Sequence, residues 1–285
     1  MRIGVVGDPH GCWGSADNHY FDHAGYDLVL VTGDLGAGTE RSALAVTRAI
    51  ARMRTPTLIM LGNNDAPFAP TIAAELQHSK GLAALGQVTR PQRPFSHMGN
   101  VSLCGYSQHV LCTAGLGLGL IAGRPLATGG DHFAYPERLR ELYGVCSAQD
   151  SEARLLDVVS TCPARHLLFF AHNGPAGLGA AHGDIWGCDF REGGGDYGDT
   201  DLTAAVEHAR RLGKRVLAVI AGHMHLRTKQ GSERPVMVTR ENTLYVNAAR
   251  VPRIFSGPEG PLRHHVAIQI RDDQVQAREV FVPDE

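Results

Sequence analysis

Short apolar runs that stop at glycine recur through the first half of this chain. They read "RIGVVG" (2–7), "YDLVLVTG" (26–33) and "TLIMLG" (57–62). None alternates with polar residues, so each suits a strand covered on both faces. Between the second and third lies "TERSALAVTRAIARMR" (39–54), whose Leu44, Ala45, Ile50 and Ala51 fall near helical spacing, with Thr39 placed to cap it. Later come "HLLFFAH" (166–172), a helix-like "DLTAAVEHARRLGK" (201–214) and "RVLAVIAGH" (215–223). Strand–helix alternation of this kind predicts α/β layers around a central sheet.

The tail changes character. "PVMVTR", "TLYVNAA", "HHVAIQIRD" and "QVQAREVFV" read as short strands separated by turns, an antiparallel segment closing one side. With no linker or repeat, residues 1–285 are expected to form a single domain with a glycine-rich and helical insertion around 105–162. Within it, "TAGLGLGLIAGRPLATGGDHF" (113–133) fits neither a P-loop nor GxGxxG and is expected to be a flexible surface loop or lid, followed by helices near 136–146 and 151–161.

Composition narrows the partners. The formal charge, 27 basic against 29 acidic residues, is -2, which gives no electrostatic reason for a nucleic-acid or anionic-membrane partner. No basic stretch studded with aromatics recommends a nuclease. "MRIGVVGD" already reads as a strand, no run approaches a membrane span, and the six cysteines include no CxxC pair. Cytoplasm is the expected compartment.

The polar residues at the predicted strand ends hold the chemistry. They are Asp8 and His10 in "GDPHG", Asp34 in "TGDLG", Asn63 in "LGNND", His172 in "FAHNGP", and His223 and His225 in "AGHMH". Ligands of open α/β sheets bind outside the carboxyl ends of strands, so these residues converge. Oxygen and imidazole donors without thiolate suit Mn, Fe, Zn, Co or Ni. Two such cations can hold a hydroxide between them and stabilise an in-line displacement at phosphorus.

The ordered set "GDPHG…GD…GNND…H…GHMH" resembles the calcineurin-like metallophosphoesterase superfamily, whose motifs run D-x-H, G-D, G-N-H-[DE], H and G-H-x-H. The resemblance implies a four-layered α/β sandwich, two central mixed β-sheets flanked by helices, holding two divalent metal ions, manganese first. It implies Asp8, His10 and His225 on one metal, Asn63, His172 and His223 on the other, and Asp34 bridging both. The implied activity is a phosphatase or phosphodiesterase acting on a phosphorylated small molecule through a metal-bridging hydroxide. A serine/threonine-type protein phosphatase is an alternative, although "GDLGAGT" and "GNND" depart from its G-D-x-V-D-R-G and G-N-H-E. A metal-binding regulatory protein with little turnover is another.

The chain departs from the family at Asn64, where histidine is usual and is thought to contact the phosphate and assist the leaving group. An amide can donate to a phosphate oxygen, with Asp65 orienting it, but cannot transfer a proton. Substrates with good leaving groups should then lose little and alkyl monoesters more. His97, His109, His132 and His182 are candidate replacements. Arg191, in the Gly/Asp/aromatic loop 181–199, is a candidate phosphate partner. Of the neighbours His264 and His265, strand alternation predicts one in solvent. Cys12 is expected to be a bystander.

Overall fold

The computed structural model describes residues 1–80, 100–113 and 116–283. The three glycine-terminated runs become adjacent parallel strands, β1 (Arg2–Val6), β2 (Leu28–Val31) and β3 (Thr57–Met60). Thr39 caps the intervening helix α2 (Glu40–Ile50), its hydroxyl accepting from the Ser42 N–H at 3.2 Å. The other elements are α1 (Ser15–His23), α3 (Ala69–Lys80), β4 (Val101–Cys104), β5 (Ser107–Thr113), β6 (Leu116–Ala122), α4 (Pro136–Tyr143) and α5 (Ala148–Thr161). They continue with β7 (His166–Phe170), α6 (Thr200–Arg211), β8 (Arg215–Ala221), β9 (Met237–Arg240) and β10 (Thr243–Asn247). The chain closes with β11 (Ile254–Gly257), β12 (Gly260–Arg271) and β13 (Gln274–Pro283).

One sheet runs β11-β12-β1-β2-β3-β4, with β13 on β12; the other runs β5-β6-β7-β8-β10-β9. Both are mixed. Ile3, Val5, Leu28, Leu30, Leu58 and Met60 of the first sheet share a cluster with Leu118, Leu120, Leu168, Phe170, Ile220 and Val246 of the second. The alternate residues Val29, Val31 and Ile59 pack with Phe21, Val46 and Ile50 of α1 and α2, while Leu167 and Phe169 join the cluster containing Leu155 and Val206 of α5 and α6. Helix, sheet, sheet and helix thus make four layers, each fully buried large side chain contributing roughly 1.5–3 kcal/mol.

Three expectations are corrected. The glycine-rich stretch is partly strand, not loop: Leu118 and Leu120 enter the inter-sheet core while Gly119 lies beneath the chain after α5. A Cβ on Gly119 would meet Cys162 Sγ at 2.7 Å, so glycine there permits close packing. The tail is not purely antiparallel, because β10 pairs parallel to β8. Neither His264 nor His265 is in solvent; each is 1% exposed, because layers cover both faces of β12. His264 Nε2 lies 3.0 Å from Glu279 Oε1, and His265 Nε2 meets the Tyr26 hydroxyl at 2.7 Å.

These buried rings set an acid limit. Burial pushes His109 down to about 4 and, with Arg253 nearby, His265 down to about 3, against an ordinary 6.5. The unfolded chain therefore binds more protons between 6.5 and the folded values, and stability falls as pH drops through that window. In thermal melts each ring's contribution should be constant above pH 7 and decline from about pH 6.5 towards 4, at up to about 1.4 kcal/mol per pH unit, opposed over that range by the raised carboxyls of Asp65 and Asp199. His265→Gln should make that decline shallower, and an unchanged slope would count against this account.

Candidate metal centre

The carboxyl ends of β1, β2, β7 and β8 bring six of the seven expected ligands into two groups, Asp8/His10/His225 and Asp34/His172/His223. Within each, the ligand atoms lie within 4.8 Å of one another. His10 Nε2 faces His225 Nε2 at 3.2 Å, and Asp8 Oδ2 is 3.9 Å from the latter. His172 Nε2 faces His223 Nδ1 at 3.2 Å and Asn63 Oδ1 at 2.9 Å. Asp34 reaches both groups, its Oδ2 being 3.8 Å from His10 Nε2 and its Oδ1 3.7 Å from His172 Nε2.

Hydrogen bonding outside the cluster decides what the rings present inside it. His172 Nδ1 meets the Thr32 carbonyl at 2.7 Å and His223 Nε2 meets the Thr128 carbonyl at 3.1 Å. A carbonyl only accepts, so each of those nitrogens carries the hydrogen. The nitrogens turned inward, His172 Nε2 and His223 Nδ1, are then lone pairs facing the Asn63 oxygen and Asp34. Acceptors this close repel unless something positive lies between them, and the donor set fits a divalent cation.

The local backbone is shaped for this convergence. Asp8, His10, Asp34 and His223 all have left-handed φ, at 42°, 43°, 54° and 68°. Such conformations cost of order 1 kcal/mol or more and collect at functional sites. At Gly62 a Cβ would sit 2.2 Å from Asp34 Oδ1, so the G-N turn approaches the carboxylate only as glycine.

The family model for calcineurin-like phosphoesterases matches residues 1–227. The chain belongs to the calcineurin-like phosphoesterase family. This marks it as a hydrolase of phosphoesters in a family that uses divalent metal ions. No curated protein matches the sequence. Among solved structures it is similar to TT1561 of Thermus thermophilus, at 13% identity and TM-score 0.56 over 97% of each chain. It is also similar to Haemophilus influenzae NAD nucleotidase (NadN), at 10% identity and TM-score 0.51, covering 98% of this chain and 49% of that one. Both likenesses concern the fold.

Within this candidate site, Asn64 and Asp65 take different parts. Asn64 turns to the shared carboxylate, its backbone N–H donating to Asp34 Oδ1 at 2.9 Å and its Nδ2 to Oδ2 at 2.6 Å. Asp65 is fully buried and accepts from the backbone N–H groups of Asp34, Leu35 and Gly62, tying the second motif to the third. Burial and the neighbouring Asp34 push its carboxyl up to about 7. At Asp34 burial opposes ionisation, but His172, His223 and the Asn64 N–H outweigh it and hold the carboxyl below its ordinary value. Burial alone would depress His172, yet Asp34, Asp8 and the Thr32 carbonyl raise it. A proton and a cation therefore compete for its inner lone pair.

The remaining candidates are dispersed. His109 lies in the edge strand β5, bonded to Ser107 Oγ at 3.1 Å. His132 is exposed, His182 is half-buried in the loop 181–199, and His97 lies outside the described residues. Arg191 is exposed, its guanidinium 5.2 Å from the Tyr197 ring centroid. Cys12 serves through its carbonyl, which accepts from Arg253 Nη1 at 2.8 Å. Among the described residues, no helix is long and apolar enough to cross a membrane.

Sequence reasoning missed the residues that hold the ligands. Thr32 Oγ1 donates to Asp8 Oδ1 at 2.9 Å. Arg234, 3% exposed, donates from Nη1 to the His225 carbonyl at 2.7 Å and pairs through Nη2 with Asp189 at 3.1 Å. Trp186 Nε1 donates to the Gly222 carbonyl at 3.2 Å. Thr32 lies 24 positions from Asp8 and Trp186 36 from Gly222, and none of the three has a ligand's residue type at a strand end.

Proposed function

We propose that this protein is a divalent-metal-dependent phosphoesterase of a small phosphorylated molecule, working through a two-cation centre. Asp8, His10 and His225 would hold one cation, Asn63, His172 and His223 the other, and Asp34 would contribute one oxygen to each. The observation that carries this reading is the shared Asp34 between two groups of inward-facing acceptors. Manganese is the first ion to test, with Fe, Zn, Co and Ni behind it. When bound, two divalent cations would supply an activated water and neutralise charge at the phosphoryl group.

The chain's own residues do the positioning. Asp34 is kept ionised and is oriented by both Asn64 donors. Asn63 adds an oxygen without adding negative charge beside an incoming phosphate. Thr32 and Thr128 keep two imidazoles turned inward. Hydrolysis breaks one ester P–O bond, adds water across it and releases phosphate and an alcohol. In that step Asn64 can steady Asp34 or a phosphate oxygen, but it has no proton to give the departing oxygen. Arg191 supplies an exposed cation for the substrate's anionic group.

The test is hydrolysis of p-nitrophenyl phosphate and bis-p-nitrophenyl phosphate by metal-stripped protein, with and without Mn²⁺. Turnover that returns only with metal supports the reading. Two bound metals with no turnover on any ester would favour the regulatory alternative. Asn64→His should raise kcat/KM on an alkyl phosphate such as glycerol phosphate by about 10–100-fold while changing p-nitrophenyl phosphate little. No gain on the alkyl ester, or a fall, would remove the leaving-group argument.

A further inference from the structure

Phe190 is a large hydrophobic side chain left 42% exposed, and hydrogen bonds of its neighbours tie its loop to segments of the candidate metal centre. Its neighbour Asp189 pairs with Arg234, the residue that bonds the carbonyl of His225. Its ring packs edge-to-face on Tyr197, with centroids 4.8 Å apart and planes at 84°. The Tyr197 carbonyl accepts from Asn173 Nδ2 at 2.8 Å, and Asn173 follows His172 directly in the chain. The same carbonyl accepts from the Gly130 N–H at 3.1 Å, two residues beyond the Thr128 carbonyl that holds His223. The Phe190–Tyr197 pair is therefore bonded, on each side, to a segment that positions a metal-site histidine.

Two cations complete the surface. Arg191 lies over Tyr197 and Lys229 Nζ is 5.7 Å from the Phe190 centroid. The Lys229 backbone N–H donates to Asp189 Oδ2 at 2.7 Å, and Gln230 Nε2 donates to the Asp189 carbonyl at 3.0 Å, so the base of this loop is clamped. An exposed aromatic ring on a clamped loop, flanked by two positive side chains and bonded through its neighbours to segments of the candidate metal centre, is chemically suited to a planar ring attached to a phosphate.

We propose that Phe190, supported by Tyr197, is a specificity platform on which an aromatic group of the substrate stacks while its phosphate lies at the metal centre, flanked by Arg191 and Lys229. The substrate class is thereby a phosphoester bearing a planar aromatic group, a nucleoside or an aryl alcohol. This rests on the phosphoesterase reading and deepens it. For the aryl ester it also agrees with Asn64, because an aryl oxygen leaves without a proton donor. Stacking on one aromatic side chain strengthens binding of such a ring by about tenfold.

The experiment uses ligands that cannot be hydrolysed. Manganese-loaded protein is titrated calorimetrically with methylphosphonate, phenylphosphonate and the adenosine 5′-phosphonate in which carbon replaces the ester oxygen. Wild type should bind phenylphosphonate about tenfold tighter than methylphosphonate. In Phe190→Leu, which keeps an apolar contact with Tyr197 but lacks a ring, that ratio should fall to near one; Phe190→Trp should preserve it. A further gain with the adenosine ligand marks a nucleoside substrate, and no further gain marks a simple aryl ester. A wild-type ratio near one, or a ratio unchanged in Phe190→Leu, overturns the platform. Binding without turnover on any ester would instead sink the phosphoesterase reading, so the two failures are separable. Binding of none of the three ligands overturns the platform as well.

Discussion

Replacing Asp34 with alanine is expected to lower metal-dependent kcat/KM on p-nitrophenyl phosphate by about 10³-fold or more, with bound metal falling below two per chain. The magnitude follows from geometry. Asp34 stands between the two groups of inward-facing acceptors, its carboxylate oxygens 3.8 Å from His10 Nε2 and 3.7 Å from His172 Nε2. On the proposed two-cation reading its loss would remove a ligand oxygen from each cation and several kcal/mol of charge organisation, where about 1.4 kcal/mol is tenfold in rate. Asn64 would also lose the acceptor for both of its donors. Asp34→Asn is a useful companion, since it keeps the shape while removing the charge. Inductively coupled plasma metal content and initial rates, measured together, check this. Two retained metals with activity within tenfold of wild type would exclude Asp34 as the shared ligand.

The second large effect is on stability. Arg124 is 5% exposed and donates from Nη2 to Asp199 at 2.7 Å and from Nε to Asp201 at 2.9 Å, both carboxylates being buried. Ser151 Oγ also donates to Asp201, and the Tyr106 hydroxyl meets Ser151 at 2.8 Å. Arg124→Met would leave two buried carboxylates facing each other without a cation. Breaking a buried pair by removing one partner costs about 3–5 kcal/mol, which for a chain of this size lowers Tm by about 10 °C. Burial and Asp201 already push Asp199 up to about 6 despite Arg124. Without the guanidinium the folded protein would bind more protons than the unfolded chain above the ordinary carboxyl range. The deficit should therefore be largest near pH 8 and shrink as pH falls towards 5. Thermal melts of wild type and variant across that range test both claims; a Tm within 2 °C of wild type at pH 8 would refute them.

That ion cluster also bears on the site. Arg124 begins the segment that carries Thr128, and Leu126 N–H donates to the Leu61 carbonyl at 2.8 Å, at the end of β3. Stability and ligand orientation are coupled through one stretch of backbone. A moderate loss of turnover in Arg124→Met, beyond the loss of folded protein, is consistent with that coupling.

Much of this architecture was legible in the linear sequence because it depends on local chemistry. Continuous apolar runs specify strands buried on both faces, and a carboxylate, amide or imidazole just beyond a run marks a strand end with the donors a cation needs. That is why Asp8, His10, Asp34, Asn63, His172, His223 and His225 could be named as candidates before their convergence was seen. Other features became visible only in three dimensions. His172 and Thr32 are 140 positions apart in sequence, and His223 and Thr128 are 95 apart. Nothing in a threonine's identity announces that its carbonyl will set a histidine tautomer. The same holds for Arg234 beneath His225, for the turn of Asn64 towards Asp34, and for the packing of Phe190 on Tyr197. A residue's type determines which bonds it can make, whereas the packing of two sheets determines which partner comes within reach.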